Sequence, residues 1–334
     1  MTKVAIVILN WNGIKHLQQF LPSVVLNLES INSEVWVVDN GSTDNSVEFV
    51  KQEFPDVKLL CFDKNYGFTG GYNRALLSIK ARYYVILNSD IEVTPNWLNP
   101  IIDFMDKEPN VAASAPKLLD WHSKDTFEYA GAAGGFIDHL GYPFCRGRII
   151  SKVEKDAGQY DKPISVFWAT GAALVIRSEI FHSMGGFDDL FFAHMEEIDL
   201  CWRIKNAGYE IYNYPQSAVY HVGGGTLPNN NPHKIYLNYR NNLLLLYKNL
   251  PANRVFKVLF YRFFLDMASF GVFLLQGKFK FAGAVIRSYF DFMKMRKEYD
   301  IDRTNLKWHP EIYNKSIVFK FFLKKKHKFS DLNI

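Results

Sequence analysis

Polar side chains follow the apolar runs of the N-terminal part of the chain in three places. They are Asn10 with Asn12, then Asp39, then Asn88-Ser89-Asp90. Carboxylates at strand ends accept hydrogen bonds from a ribose or a base, and hard divalent cations prefer oxygen ligands. The pattern predicts a nucleotide-type site in which Asp90 is a candidate ligand for a cation shared with a diphosphate. For each group alone, an Asx-type turn is the alternative.

A glycine-rich stretch, Asn65–Arg74, precedes a pattern of helical period. Small residues at a helix N-terminus allow backbone amides to approach phosphates. The stretch lacks both the GxGxxG and the P-loop spacing, so an ordinary turn is an equal alternative.

Three carboxylates crowd the start of another predicted helix, at Glu196, Glu197 and Asp199. Asp199 precedes Arg203 by one helical turn, so an ion pair on one face explains it. Two further adjacent acids repel each other unless a cation or a proton-transfer role holds them. Glu196 and Glu197 are therefore candidates for a general base.

A lone histidine, His221, ends an apparent strand beside the glycines at 223–225. Most such histidines are structural. A carboxylate and an imidazole, however, leave room for two diphosphate oxygens on Mn²⁺ or a similar ion. His221 is therefore a candidate metal ligand together with Asp90.

The elements that must position these residues alternate between short apolar runs and helical patterns, as in βαβ units around a mainly parallel sheet. The predicted strands are Val4–Leu9, Glu34–Val38, Val57–Phe62, Tyr83–Leu87 and Val111–Ala115. The predicted helices are Ile14–Leu28, Asn45–Phe54, Thr69–Lys80 and Pro95–Lys107, the last with Thr94 as its N-cap. In such α/β sheets the ligand crevice lies at the carboxyl ends of the strands. We expect residues 117–165 to form a variable, partly mobile insertion over this crevice, followed by an ordered block at Val166–Gly225.

Composition limits the classes of protein. The chain has 334 residues, of which 48% are hydrophobic, and three cysteines without CxxC spacing. A disordered tail, a disulfide-stabilised small domain and a protein with several membrane spans are excluded, and a reducing compartment is indicated. The apolar run Val4–Leu9 is too short for a signal peptide.

Charge divides the chain at Leu250. Residues 1–250 carry 22 basic and 27 acidic side chains, whereas residues 251–334 carry 17 and 7, with 19 aromatic residues. The run Val258–Gln276 is long enough to span a bilayer but contains Arg262 and Asp266, which are costly at its centre. We expect an in-plane amphipathic helix on an anionic membrane surface. A helical subdomain packed on the first 250 residues is the alternative, and no motif supports nucleic-acid binding.

In combination, these motifs resemble the inverting family 2 glycosyltransferases, especially their bacterial rhamnosyltransferase-like members. The matching stretches, in the expected order, are Val4–Gly13, Val38–Asp44, Asn65–Asn73, Leu87–Asp90, Gly185–Phe192, Glu196–Arg203 and Val219–Gly223. The resemblance implies an α/β GT-A fold over residues 1–250, with residues 251–334 as a basic, aromatic helical region.

The resemblance also implies a nucleotide-sugar donor. Asp39 matches the position of the nucleotide-base contact, and Asn65 with Gly67 matches the donor-binding loop. The predicted donor site is completed by its polar neighbours Asn10, Asn12, Asn73, Asn88, Ser89 and Asp90. Trp168, Gly171 and Asp199 are predicted on the acceptor side.

For the chemistry, the resemblance implies a divalent metal, Mn²⁺ or Mg²⁺, on Asp90 and His221. Glu197 matches the general-base position of the family's Glu-Asp pair. Two residues depart from the family pattern. Asn88 replaces the first acid of the DxD-type motif, and Glu197 is longer than Asp by one methylene, so neighbouring Glu196 is a second candidate base.

These expectations describe a single displacement with inversion at the sugar. The expected partners are a UDP-, GDP- or dTDP-linked donor and a saccharide or lipid-linked acceptor of surface polysaccharide synthesis, at the inner face of the plasma membrane. Three alternatives are a nucleotidyltransferase, a nucleotide-sugar-binding protein without turnover and a nicotinamide dehydrogenase. The first turn, Asn10–Gly13, has one glycine where the dehydrogenase fingerprint requires three.

Overall fold

A mixed β-sheet forms the centre of the computed structural model, which describes residues 2–28, 32–223 and 231–334. Its strands are β1 (Thr2–Asn10), β2 (Ser33–Asp39), β3 (Lys58–Cys61), β4 (Ala81–Asn88), β5 (Ile91–Val93), β6 (Val111–Asp120), β11 (Ile164–Ser165), β12 (Ala173–Arg177) and β13 (Glu210–His221). The order is β11-β13-β6-β12-β4-β1-β2-β3, and β5 pairs with β13. Strands β3, β2, β1 and β4 run parallel, while β12 runs antiparallel between β4 and β6.

Helices connect and cover the strands. They are α1 (Ile14–Leu26), α2 (Ser46–Glu53), α3 (Gly67–Ser78), α4 (Asn99–Lys107), α5 (Ser178–Ser183), α6 (Glu196–Asn206), α7 (Pro232–Asn249), α8 (Ala252–Leu275), α9 (Phe279–Met295) and α10 (Ile317–Phe322). Short 3₁₀ turns lie at Asp189–Phe191, Arg296–Glu298 and Phe329–Leu332. The α/β class, the parallel part of the sheet and the C-terminal helices are confirmed.

One helix begins later than predicted. Helix α4 starts at Asn99 instead of Pro95, and the Thr94 hydroxyl donates to the Ala218 carbonyl (2.7 Å) instead of capping a helix. Asn96 has a φ of +56°, which is incompatible with a continuous helix from residue 95. The short strand β5 between Asp90 and Thr94 was not predicted.

Residues 117–165 contain a second, small sheet of β7 (Gly135–Ile137), β8 (Pro143–Cys145), β9 (Arg148–Ile149) and β10 (Lys152–Val153), in the order β10-β9-β8-β7. Phe136, Phe144 and Ile149 on these strands are buried in the same core as Ile86 of β4. The insertion is therefore a packed part of the fold, which the short strands and many polar residues did not indicate.

The C-terminal helices share that core. Leu243–Leu246 of α7, Val258 of α8 and Phe292 of α9 belong to it. Among the described residues, one helix, α8, is long and apolar enough to cross a membrane by length and composition, and most of it is not buried.

Candidate active site

The ends of β1, β2 and β4 bring three predicted residues to one edge of the sheet. Asn10 pairs in register with Asp39, and Leu9 pairs with Asn88. Asn10 Nδ2 donates to Asp39 Oδ1 (3.2 Å), while the Ser42 amide donates to Asp39 Oδ2 (2.9 Å). Asp39 therefore both forms the Asx turn and occupies the position predicted for the nucleotide contact. The Oδ1 atom of Asn10 is buried and has no hydrogen-bond partner among the described residues.

Asn12 joins the first two strand ends. Its side-chain Oδ1 accepts the backbone amide of Thr43 (2.7 Å), and its backbone amide donates to Ser42 Oγ (2.9 Å). Ser89 lies beside the same turn, with its Oγ 3.7 Å from the position that a Cβ on Gly13 would occupy. The side chains predicted after β1, β2 and β4 therefore form one group.

The loop at Asn65–Gly67, which was predicted to bind the nucleotide-sugar donor, is held by hydrogen bonds within the protein. Asn40 donates to Asn65 Oδ1 and to the Gly67 carbonyl (both 3.0 Å), and Asn65 Oδ1 also accepts the Gly67 amide (2.8 Å). Gly67 has a φ of +76°, and a Cβ there would lie 2.5 Å from the ring of Phe192. Asn40, which organises this loop, was not predicted.

The first amides of α3 are also engaged. Phe68 and Thr69 donate their amides to the Phe192 carbonyl at 2.9 and 3.2 Å. A Cβ on Gly71 would lie 2.8 Å from Leu9, so this glycine allows α3 to pack closely on β1. These amides therefore hold the start of α3 against the Phe192 carbonyl, and a contact of this helix end with a phosphate stays a prediction.

The side chain of Asn73, which was predicted to bind the nucleotide-sugar, is hydrogen-bonded within the protein. Its Nδ2 donates to the Phe187 carbonyl (2.8 Å) and to Asp189 Oδ1 (2.7 Å), and its Oδ1 accepts the Phe187 amide (2.9 Å). All of its hydrogen-bonding atoms therefore stabilise the turn at 187–189. These hydrogen bonds compete with the predicted contact between Asn73 and the nucleotide-sugar.

Asp90 and His221 are brought together as predicted. Their Oδ1 and Nε2 atoms are 3.2 Å apart, and Asn88 Nδ2 lies 3.4 Å from the same Nε2. The other imidazole nitrogen, Nδ1, is 3.4 Å from Oε2 of Glu128, a buried carboxylate. Burial alone would lower the pKa of His221, but Asp90 and Glu128 raise it to about 10.

The donor set formed by Asp90 and His221 fits a divalent cation. Once the imidazole has released the proton that Asp90 and Glu128 favour, its Nε2 and a carboxylate oxygen of Asp90, 3.2 Å apart, can both bind one ion whose other ligands come from a diphosphate. Within residues 2–28, 32–223 and 231–334, no group of three or more His, Cys, Asp or Glu side chains could hold a metal alone.

Glu196 and Glu197 form the first turn of α6. Glu196 is 5% exposed and Glu197 is partly exposed. The Oε2 atom of each is buried and has no hydrogen-bond partner in the part of the chain that the structure describes. Burial and the neighbouring Glu197 raise the pKa of Glu196 well above its usual value. Burial raises the pKa of Glu197 to about 7, so Glu197 can exchange a proton near neutral pH.

A chain of contacts links this acid pair to His221. A Cβ on Gly171 would lie 3.4 Å from Cβ of Glu197, and the neighbouring Thr170 hydroxyl donates to the Ala130 carbonyl (2.6 Å). The Ala130 amide donates to Glu128 Oε2 (2.5 Å). Gly171 therefore lies beside Glu197, and Ala130 and Thr170 connect it to Glu128, which contacts His221.

The segment before α6 has an unusual backbone. Phe192, His194 and Met195 have φ values of +64°, +70° and +71°. Such conformations cost non-glycine residues about 1–3 kcal/mol each, and they cluster at functional sites.

The other two acceptor-side predictions are not supported by the contacts. Asp199 is fully buried and is bonded to Arg203 (2.8 Å), Lys248 (2.9 Å) and Asn249 (2.8 Å). Trp168 is 3% exposed and donates its Nε1 to the Phe136 carbonyl (2.9 Å). Both side chains are satisfied within the core, so they stabilise the site from behind and do not face a substrate.

Solved structures share this architecture. The Staphylococcus aureus TarS 1–349 structure aligns with a TM-score of 0.58 at 15% identity, covering 89% of this chain and 81% of that one. GalNAc-T7 with UDP, GalNAc and Mn²⁺ aligns with a TM-score of 0.57 at 17% identity. This chain covers 48% of GalNAc-T7, and 74% of this chain is aligned. At these identities the likeness shows the GT-A-like fold.

Sequence relatives indicate the family. The Mycobacterium tuberculosis N-acetylglucosaminyl-diphospho-decaprenol L-rhamnosyltransferase is 28% identical over 224 residues, which are 62% of this chain and 71% of that protein. A family model, glycosyl transferase family 2, matches residues 5–182, more than half of the chain. The chain therefore belongs to glycosyl transferase family 2 and is a glycosyltransferase.

Proposed function

We propose that this glycosyltransferase moves a sugar, with inversion, from a nucleotide-diphospho-sugar to a hydroxyl of a lipid-linked saccharide in surface polysaccharide synthesis. The observation that carries the proposal is the Glu196–Glu197 pair beside Gly171, joined by contacts through Glu128 to Asp90 and His221. A general base with a pKa near 7 and a cation site are the two parts that such a displacement requires.

Glu197 is the general base. Its raised pKa of about 7 lets it accept the proton of the attacking hydroxyl near neutral pH and release it afterwards. Glu196 is more deeply buried, and burial together with the neighbouring Glu197 raises its pKa well above its usual value, which favours its protonated form. This difference in burial favours Glu197 over Glu196 as the base.

Asp90 and His221 hold a divalent cation, Mn²⁺ or Mg²⁺, together with the donor diphosphate. When bound, such a cation supplies Lewis-acid stabilisation of the negative charge on the departing nucleoside diphosphate. The GalNAc-T7 structure contains UDP and Mn²⁺, and a Pyrobaculum calidifontis mannosyltransferase structure contains GDP-Man and Mn²⁺. Asp39, Asn10 and Asn12 bind the nucleotide at the neighbouring strand ends.

A deoxyhexose donor and a lipid-diphosphate-linked acceptor fit the relatives best. The Mycobacterium tuberculosis protein is named as an L-rhamnosyltransferase acting on N-acetylglucosaminyl-diphospho-decaprenol. A long polyprenyl chain remains in the bilayer, so an enzyme using such an acceptor must work at the membrane surface.

Helix α8 supplies the membrane contact. Its outward side chains are apolar and exposed: Phe256 (80%), Phe260 (51%), Phe264 (56%) and Leu275 (91%). Lys257 near one end and Lys278 beyond the other are exposed cations that suit anionic headgroups. The occupant of this face is therefore an anionic bilayer, at the inner face of the plasma membrane.

A basic cavity adjoins this face. It has a volume of about 580 Å³, and its lining includes His139, Asn253, Arg254, Lys257 and Tyr261. A cation pair without an acid in the lining suits a phosphate group at the headgroup level.

The test is turnover. Purified protein with Mn²⁺ or Mg²⁺ is incubated with UDP-, GDP- and dTDP-sugars, with and without a polyprenyl-diphosphate-linked saccharide. We expect one donor to release its nucleoside diphosphate, and Glu197→Gln and Asp90→Ala to abolish this release. Glu210→Gln, an exposed acid on β13, is the matched control. No release from any donor would contradict the proposal.

A further inference from the structure

The segment Phe191–Met195 holds a backbone conformation that its residues rarely adopt. Phe192, His194 and Met195 have positive φ values, and the Ala193 amide donates to the Phe191 carbonyl (2.7 Å) in a γ-turn. Glycine would adopt these angles without strain, yet none of the three residues is glycine. Such a conformation persists only where the surroundings impose it.

One side chain of α7 supplies much of that restraint. Asn241 is fully buried, and its Nδ2 donates to the carbonyls of Phe191 (2.9 Å), Ala193 (2.8 Å) and His194 (2.7 Å). Arg240 Nε donates to Asn241 Oδ1 (2.8 Å), which turns the amide NH₂ group toward the segment. Arg240 also donates to the Phe191 carbonyl (3.0 Å).

The restrained segment joins the two halves of the site. The Phe192 carbonyl accepts the first amides of α3, next to the donor loop, and the Met195 carbonyl accepts the Asp199 amide of α6. Glu196 and Glu197 follow Met195 directly. Any shift of this segment therefore changes the position of the acids relative to the donor loop.

We propose that Asn241 is a positioning residue that sets the orientation of Glu197 by holding the 191–195 segment in its strained form. The inference rests on the proposed role of Glu197 as the base. Asn241 acts through the backbone, so its loss should impair the chemical step while the folded structure persists. Misplacement of a reacting group by about 1 Å can cost about 100-fold in rate.

The test compares Asn241→Ala with Asn238→Ala in the whole protein, using the nucleotide-sugar that gives the highest turnover in the donor panel. Asn238 lies on the same helix, but its side chain donates to the Lys234 carbonyl of its own helix (2.9 Å). We expect kcat to fall about 100-fold in Asn241→Ala and to stay unchanged in Asn238→Ala. The pH at half-maximal kcat/KM, which reports the pKa of the base in the free enzyme, should shift only in Asn241→Ala.

A conservative variant controls for loss of activity through misfolding. Asn241→Gln keeps a buried amide but displaces it by one methylene, so it should fold and show the same changes to a smaller degree. Equal kcat values and equal pH profiles for the Asn241 and Asn238 variants, with Glu197→Gln inactive, would overturn the inference. A fully active Glu197→Gln would instead refute the base assignment, and the inference with it.

Discussion

Arg262 and Asp266 form an ion pair on the inner side of α8, with Nη2 and Oδ1 3.3 Å apart and side chains 3% and 1% exposed. The hydroxyls of Tyr142 and Tyr289 donate to the same carboxylate (3.3 and 2.8 Å). Arg262 also donates to the Leu140 carbonyl (3.1 Å). Of the four charged residues of α8, Arg262 and Asp266 therefore attach the helix to the protein, and the exposed side chains between Phe260 and Leu275 are apolar or aromatic.

The first prediction concerns this buried pair. Asp266→Ala leaves the Arg262 guanidinium buried without its countercharge, so the free energy of unfolding should fall by about 3–5 kcal/mol. Chemical denaturation monitored by circular dichroism measures this change. Lys155→Ala breaks the exposed Lys155–Asp125 pair (2.7 Å) and should cost less than about 1 kcal/mol. Equal losses in the two variants would mean that the buried pair does not anchor α8.

The second prediction concerns the outward face. The double variant Phe260→Ser and Phe264→Ser should reduce flotation with anionic liposomes at low salt, because it removes apolar area that would enter the bilayer interface. Leu77→Ser on α3 changes another exposed apolar side chain (77%) and serves as the control. Unchanged flotation of the double variant would contradict membrane attachment through α8.

The third prediction concerns pH and Glu197. The pKa of Glu197 rises from 4.5 to about 7 on folding, so the native state binds this proton more tightly than the unfolded state does. The associated stability is present below pH 4.5 and is lost as the pH rises toward 7. Above pH 7 the ionised carboxylate therefore lowers the free energy of unfolding, by at most about 3 kcal/mol.

Glu197→Gln removes this effect. The variant should have a higher Tm than the wild type at pH 8 and a similar Tm at pH 5, measured by calorimetry. Glu210→Gln, whose side chain is exposed, should show no such pH-dependent difference. A Tm gain for Glu197→Gln that is the same at both pH values would show that desolvation of its charge is not the cause.

The sequence pattern was sufficient to predict those parts of the structure that depend on interactions between near neighbours in the chain or in the sheet. The polar residues after β1, β2 and β4 converge because parallel neighbouring strands end at one edge, and the pairing of Asn10 with Asp39 follows from that geometry. Helix α6 spans Glu196–Asn206 as predicted, because its acids lie at the N-terminus and its apolar residues have helical period.

Long-range partners could not be read from the sequence. The Asn73 amide bonds to the carbonyl of Phe187, 114 positions away, so a residue that suited a donor loop became structural. Glu128 lies in an irregular segment without a motif, and only the fold brings it to His221. Asn241 was missed because an asparagine within an apolar helix has no local signal for its contacts with the 191–195 segment.

The fourth prediction concerns Glu128, which lies behind His221. Carboxylates in contact with the second nitrogen of a metal-binding histidine orient the ring, and their loss typically weakens metal affinity by about 10–100-fold. Glu128 Oε2 lies 3.4 Å from Nδ1, on the opposite side of the ring from Asp90. Glu128→Ala should therefore weaken Mn²⁺ binding within that range, whereas Glu128→Gln, which keeps an oxygen near Nδ1, should weaken it less.

Electron paramagnetic resonance of free Mn²⁺, titrated in the presence of UDP, GDP or dTDP, measures this affinity without turnover. Glu210 lies at the opposite end of β13 from His221, so the Glu210→Gln variant should bind Mn²⁺ as the wild type does. If the wild type binds Mn²⁺ with none of these nucleotides, the metal assignment of Asp90 and His221 fails. If the wild type and Glu128→Ala bind Mn²⁺ equally, the metal site stands, but His221 does not need Glu128 to orient it.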